Sequence, residues 1–203
     1  MKSLLHFIKK LLFSLLILSA SCSEVSITYE QKLKSKRQFI EAGFYGANSP
    51  LLPNDKKKFN GLSFFKIDST YRIIANVEWD LNCKAVQVYK DSGEVSNNYP
   101  TAKLSFVVNG VANELTGYSK SKKNISSLFV PFYDLTTGIE SYGGGRFLDV
   151  DVKSNQHVVL DFNTAYNPYC VYNPNYICPV PPANNYLKVR VLAGEKLPII
   201  DNN

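Results

Sequence analysis

Six residues in the C-terminal half of this chain, Arg146, Asp161, Asn163, Tyr166, Asn167 and Glu195, have the types and the crowding that chemistry requires. A carboxylate pair drawn from Asp149, Asp161 and Glu195 could divide acid and base roles in glycan hydrolysis. Arg146 with Asp161, Asn163 and Tyr166 instead offers convergent polar groups beside a proline-stiffened loop, as a ligand site would. Tyr142, four residues before Arg146, extends that set of ligand-binding candidates. Such residues also serve structure, since Asn and Asp bond nearby backbone in irregular loops.

Two cysteines fall in the same region. Cys170 and Cys178 sit close in sequence and suit a local disulfide in an oxidising compartment, leaving Cys83 unpaired and buried. A zinc site would want two more Cys or His ligands, and His157 is the one histidine outside the first 21 residues, so no metal site is expected. A Cys–His nucleophilic pair lacks a third, orienting group. Gly143-Gly144-Gly145 does not end in Lys-Ser/Thr and Arg146 leads into a strand, so these glycines read as a turn with positive φ rather than a phosphate loop. No cofactor motif is present.

Strands must position these groups. Tyr71 to Trp79 alternates apolar with mostly polar residues, and Lys84 to Lys90 is a shorter strand. Asn109-Gly110 predicts a two-residue hairpin turn with Val108 opposite Val111, Phe106 opposite Asn113 and Leu104 opposite Leu115. Leu128 to Tyr133 reads as a buried strand. Leu148–Val152 and Val158–Phe162 read as a hairpin over Lys153 to Gln156, and Leu187 to Val191 as the last strand. Ahead of them Thr28 and Gln31 match a capping box, and Gly43 suits a helix end, so one amphipathic helix is expected over 29–42. The expected fold is α+β, mainly β: an N-terminal helix packed on a mostly antiparallel sheet, as a sandwich or open barrel.

The first 21 residues have the form of an export signal. Lys2, Lys9 and Lys10 precede the apolar run Leu11 to Leu18, and small residues 19 to 21 lead to Cys22. The run is far short of the roughly 20 residues a bilayer span needs. Cys22 in that place resembles the acylated cysteine of a bacterial lipoprotein, the other reading being ordinary cleavage and release. Domain organisation follows: signal peptide 1–21, lipid-anchored linker and helix 22–58, and one β-rich domain 59–203. Losing the three lysines lowers the formal charge from +6 to +3, and with export this argues against nucleic acid as a partner.

The pieces FNGLSFFKIDSTYRI, PFYDLTTGIESYGGGRFLDV, VVLDFNTAYNPYCVYNPNYICPVPP and VRVLAGEK resemble an uncharacterised bacterial family, number sixteen-eighty-four among the domains of unknown function. That resemblance implies exported lipoproteins and no established activity. Two functional readings stand. One is a non-enzymatic module, anchored in the bacterial cell envelope through a lipid on Cys22, that binds a small ligand, a glycan or an envelope protein with the surface at residues 143–182. The other is an envelope hydrolase or transferase using an acid or a cysteine of that surface.

Overall fold

The computed structural model describes residues 27–89 and 95–198. Residues 1–21, read above as an export signal, and Cys22 lie outside them. By its internal contacts the chain divides into Met1–Lys32 and Leu33–Asn203. Of the first unit the structure describes the start of helix α1 (Tyr29–Tyr45), where the expected capping box is formed: Gln31 N donates to Thr28 Oγ1 at 3.2 Å, and Thr28 N to Gln31 Oε1 at 2.8 Å.

Within the second unit α1 runs past Gly43 to Tyr45, three residues beyond the expected end. A helical glycine costs about 1 kcal/mol relative to alanine. Burying Phe44 offsets that cost, because its ring packs at 5.2 Å on Phe59 and 4.9 Å on Tyr172. Leu33 and Phe44 are buried, Arg37 and Ile40 half-buried, and these positions share one helical face. Arg37 fastens that face, donating from Nη1 to Phe65 O and from Nη2 to Asn163 O. A short helix α2 (Pro53–Lys58) follows, with proline at its start.

The strands are β1 (Arg72–Trp79), β2 (Val86–Tyr89), β3 (Val95–Val108), β4 (Val111–Ser119), β5 (Ser127–Phe132), β6 (Arg146–Asp151) and β7 (His157–Asp161). All their ladders are antiparallel, in the order β6-β5-β4-β3-β1-β7 with β2 on β3. An antiparallel bridge between Phe147 and Tyr166 brings the far ends together, making a nearly closed barrel. The Asn109-Gly110 hairpin has the expected register, Val108 to Val111, Phe106 to Asn113 and Leu104 to Leu115. Positive φ at both turn residues, 52° and 76°, matches the twist of the flanking strands.

Two strand assignments need correction. β6 and β7 do not form a hairpin ladder: β6 pairs with β5, and β7 with β1. Alternation settles which face a residue takes, not which neighbour its strand bonds. At the end of the connection Gln156 O accepts from Val77 N, extending the β7–β1 pairing by one residue. The segment Leu187–Val191 has Leu187, Val189 and Val191 buried and Lys188 and Arg190 exposed, but it bends at Lys188–Val189 and makes no strand ladder. Isolated bonds hold it instead: Leu187 N to Tyr133 O, Leu135 N to Val189 O, and Val191 N to the carboxylate of Asp134.

Leu104, Phe106, Leu115, Leu128, Val130, Phe132, Leu148, Val150, Val158 and Leu160 fill the barrel interior. A barrel this narrow is closed by its own side chains, so any site must lie outside the wall.

Candidate functional site

Arg146 shares its strand face with Leu148 and Val150, which drives a guanidinium into the core at 1% exposure. Its ion-pair partner is Asp134, at 3.1 Å and equally buried, and not Asp161, with which the sequence grouped it. Nη1 donates to the carbonyls of Ala193 and Glu195, and Nη2 to that of Val191. Asp134 is in turn bonded by Thr136 Oγ1. Burial pushes the guanidinium below its usual range, while Asp134 holds it up. One buried arginine thus takes the place of a neighbouring strand for residues 191–195 and is consumed by the fold. It is not free to bind a ligand.

Asp161 and Asn163 are likewise structural. Asp161 accepts from Asn163 N at the start of the 3-10 turn Phe162–Thr164. Asn163, 1% exposed, donates from Nδ2 to Asp68 O at 2.8 Å and accepts from Asp68 N at 2.9 Å, stitching that turn to the approach of β1. Asp149 and Asp161 stand on strands that do not pair. Tyr142 is half-buried, its hydroxyl 3.9 Å from Cys170 Sγ. Cys170 and Cys178 are bonded, as their spacing suggested, with Cα atoms 6.0 Å apart. Cys83 is free as expected but only half-buried. The glycine turn is real at Gly145, φ +85°, where a Cβ would lie 2.8 Å from Phe132 O.

Three of the expected residues do meet. Tyr166, Asn167 and Glu195 line one cleft of about 820 Å³ on the outer face of the barrel, beneath Lys36, Ile40 and Phe44 of α1. Its floor is the outer face of β4–β5–β6, where Tyr118 lies opposite Phe129 and Phe129 opposite Asp149. Ser96, Asn98 and Lys120 close the far side.

Several polar groups give this cleft its chemistry. Glu195 Oε2 accepts from Asn167 N at 2.8 Å and Tyr172 Oη at 3.2 Å. Desolvation raises the carboxyl to about 7, against the Asn167 and Tyr172 hydrogen bonds and the charges of Arg146 and Arg37. Burial and the neighbouring Glu195 push the Tyr172 phenol up. Tyr166 Oη donates to Asp149 Oδ2 at 3.0 Å. Asn98 and Asn167 are each 2% exposed, and the Oδ1 atom of each is buried with no hydrogen-bond partner. Such orphan acceptors are uncommon, because leaving one unmade costs about 1–3 kcal/mol. Among the described residues no group of three His, Cys, Asp or Glu side chains could hold a metal ion.

The sequence reading missed Asp134, Asn98 and Tyr172. Asp134 was visible only as the start of an Asp-x-Thr-Thr-Gly turn, and Asn98 as a polar residue in a stretch read as no element. Neither pattern points to burial without its long-range partner.

The family model described as "Protein of unknown function (DUF1684)" matches residues 57–196. The chain belongs to this family. It is also similar to an uncharacterized protein of Haloarcula marismortui whose solution NMR structure is known. The two share 34% identity over 83% of this chain and 94% of that one, with a TM-score of 0.69. No curated protein matches.

Proposed function

We propose that this member of the family is a lipid-anchored cell-envelope module that holds a small, donor-rich ligand in the cleft between α1 and the outer face of the barrel. The observation that carries the reading is that two residues lining one cleft, Asn98 and Asn167, each keep a buried amide oxygen without a partner. A fold that retains two such acceptors gives up stability unless something supplies the missing donors. The cleft volume falls within the roughly 300–1,000 Å³ usual for small-molecule sites.

The export signal and Cys22 support the address, a membrane surface facing an extracytoplasmic compartment. Mass spectrometry of the mature N-terminus tests it, an acylated Cys22 being expected and an unmodified terminus refuting the anchor. Ligand binding is tested by thermal shift against a small-molecule library. A compound that stabilises wild type but not Asn167→Leu supports the cleft, and uniform silence refutes it.

A second reading, a hydrolase or transferase, draws on Glu195 alone. A cleft carboxyl near neutrality can exchange protons at physiological pH. Turnover of a bound compound that is lost in Glu195→Gln would establish it, whereas binding without turnover keeps the first reading.

A further inference from the structure

We propose that the ligand of this cleft is a neutral saccharide, an inference that rests on the cleft being the binding site. The acceptors come first. Asn98 Oδ1 and Asn167 Oδ1 lack donors, and Asp149 and Glu195 add carboxylate oxygens in the same walls. The occupant must therefore carry several hydrogen-bond donors spread over its length.

The rings come second. Tyr118, Phe129 and Tyr166 are half-buried at the cleft, so part of each ring remains open to an occupant. Buried Phe147 packs against Phe129 at 5.0 Å and against Tyr166 at 5.9 Å, edge to face in both cases, and so fixes their planes. Rigid aromatic surface next to polar acceptors demands a ligand with apolar faces and hydroxyl edges. Pyranose rings have both, with C–H groups on the faces and O–H groups around the rim.

Charge comes third. Lys36 and Lys120 face Asp149 and, once its proton is lost near pH 7, Glu195, and no arginine lines the cleft. A phosphate or polyanion site would present an uncompensated cationic cluster, above all with the bidentate geometry of arginine. The balance favours a ligand without net charge.

The experiment uses the mature chain with cellobiose, maltose and N,N′-diacetylchitobiose as probes, read by saturation-transfer NMR and calorimetry. At least one is expected to bind, with affinity reduced about tenfold or more by Tyr118→Ala and by Asn98→Leu. Asn98→Leu should melt no lower than wild type, because it removes a partnerless buried oxygen, and this separates loss of binding from loss of fold. Binding that survives both substitutions would overturn the assignment. If no saccharide binds but a non-sugar fragment shifts the resonances of Phe129 and Tyr166, the saccharide class is wrong and the cleft stands. If nothing shifts them, both fall.

Discussion

Replacing Asp134 by Asn would remove the charge that faces Arg146 while keeping the side chain's size. The guanidinium would stay buried, with 1% of its surface exposed, and its three carbonyl acceptors would remain. None of those carbonyls carries a formal charge, so the cation would keep only the weaker influence of Glu195 and Glu140, neither of which forms an ion pair with it. Breaking a buried pair in this way costs about 3–5 kcal/mol, against about 0–1 for an exposed pair. The loss of Val191 N and Thr136 Oγ1 as donors to a full carboxylate adds to it, because charge-assisted bonds are the stronger kind. For a domain of this size each kcal/mol moves the midpoint by about 2–4 °C, so Asp134→Asn should lower Tm by about 6–20 °C. Urea titration with an unchanged slope would show the loss to be one of stability and not of cooperativity. Asp161→Asn is the control: this carboxylate is half-buried and caps a turn, and a smaller loss, of about 1 kcal/mol, is expected. If Asp134→Asn costs no more than Asp161→Asn, the buried pair is not what holds residues 191–195 against the barrel.

Three other outcomes are expected. Glu195 keeps a proton in the folded state up to about pH 7, whereas an ordinary carboxyl loses it near 4.5. The folded protein therefore binds more protons across that window, and stability should fall as pH rises through it, by roughly 3 kcal/mol in total. In Glu195→Gln the slope should vanish, making the variant the more stable form above neutrality. Thermal melts from acid to mild base check this, and parallel profiles for the two proteins would refute it. Gly145→Ala, at φ +85° with a Cβ 2.8 Å from Phe132 O, should destabilise by at least about 1–2 kcal/mol, measured by chemical denaturation. Gly143→Ala, whose nearest contact would be 3.9 Å away, should be nearly silent by the same measurement. Reducing Cys170–Cys178 should cost about 2.5 kcal/mol by the chain-entropy account of so short a loop, and non-reducing peptide mapping should recover the two peptides linked.

Local pattern determined much of this protein. The Thr28–Gln31 box, the Asn109-Gly110 turn with its register, and the buried and exposed faces of β1, β4, β6 and β7 follow from neighbours within a few residues. So does the bond between Cys170 and Cys178, whose spacing lets a short loop close. Leu187–Val191 keeps its alternation of buried and exposed residues without a ladder, although the chain bends at Lys188–Val189 and is held by bonds to Tyr133, Leu135 and Asp134.

Tertiary structure decided the rest, and each case turns on contacts distant in sequence. Period-two alternation cannot tell that β7 pairs with β1, some 85 residues away, and not with β6 beside it. Arg146 looked like a ligand-binding residue because charge is usually solvated. Its parity with Leu148 put it on the inward face, but only the assembled fold supplies Asp134 and the carbonyls of residues 191–195 that compensate it there. Asn98 lay in a stretch read as no element, and only the cleft formed over it marks it out. Burial and hydrogen-bond satisfaction are properties of the assembled barrel, and it is those properties that move the candidate site from Arg146 and Asp161 to Asn98, Asn167 and Glu195.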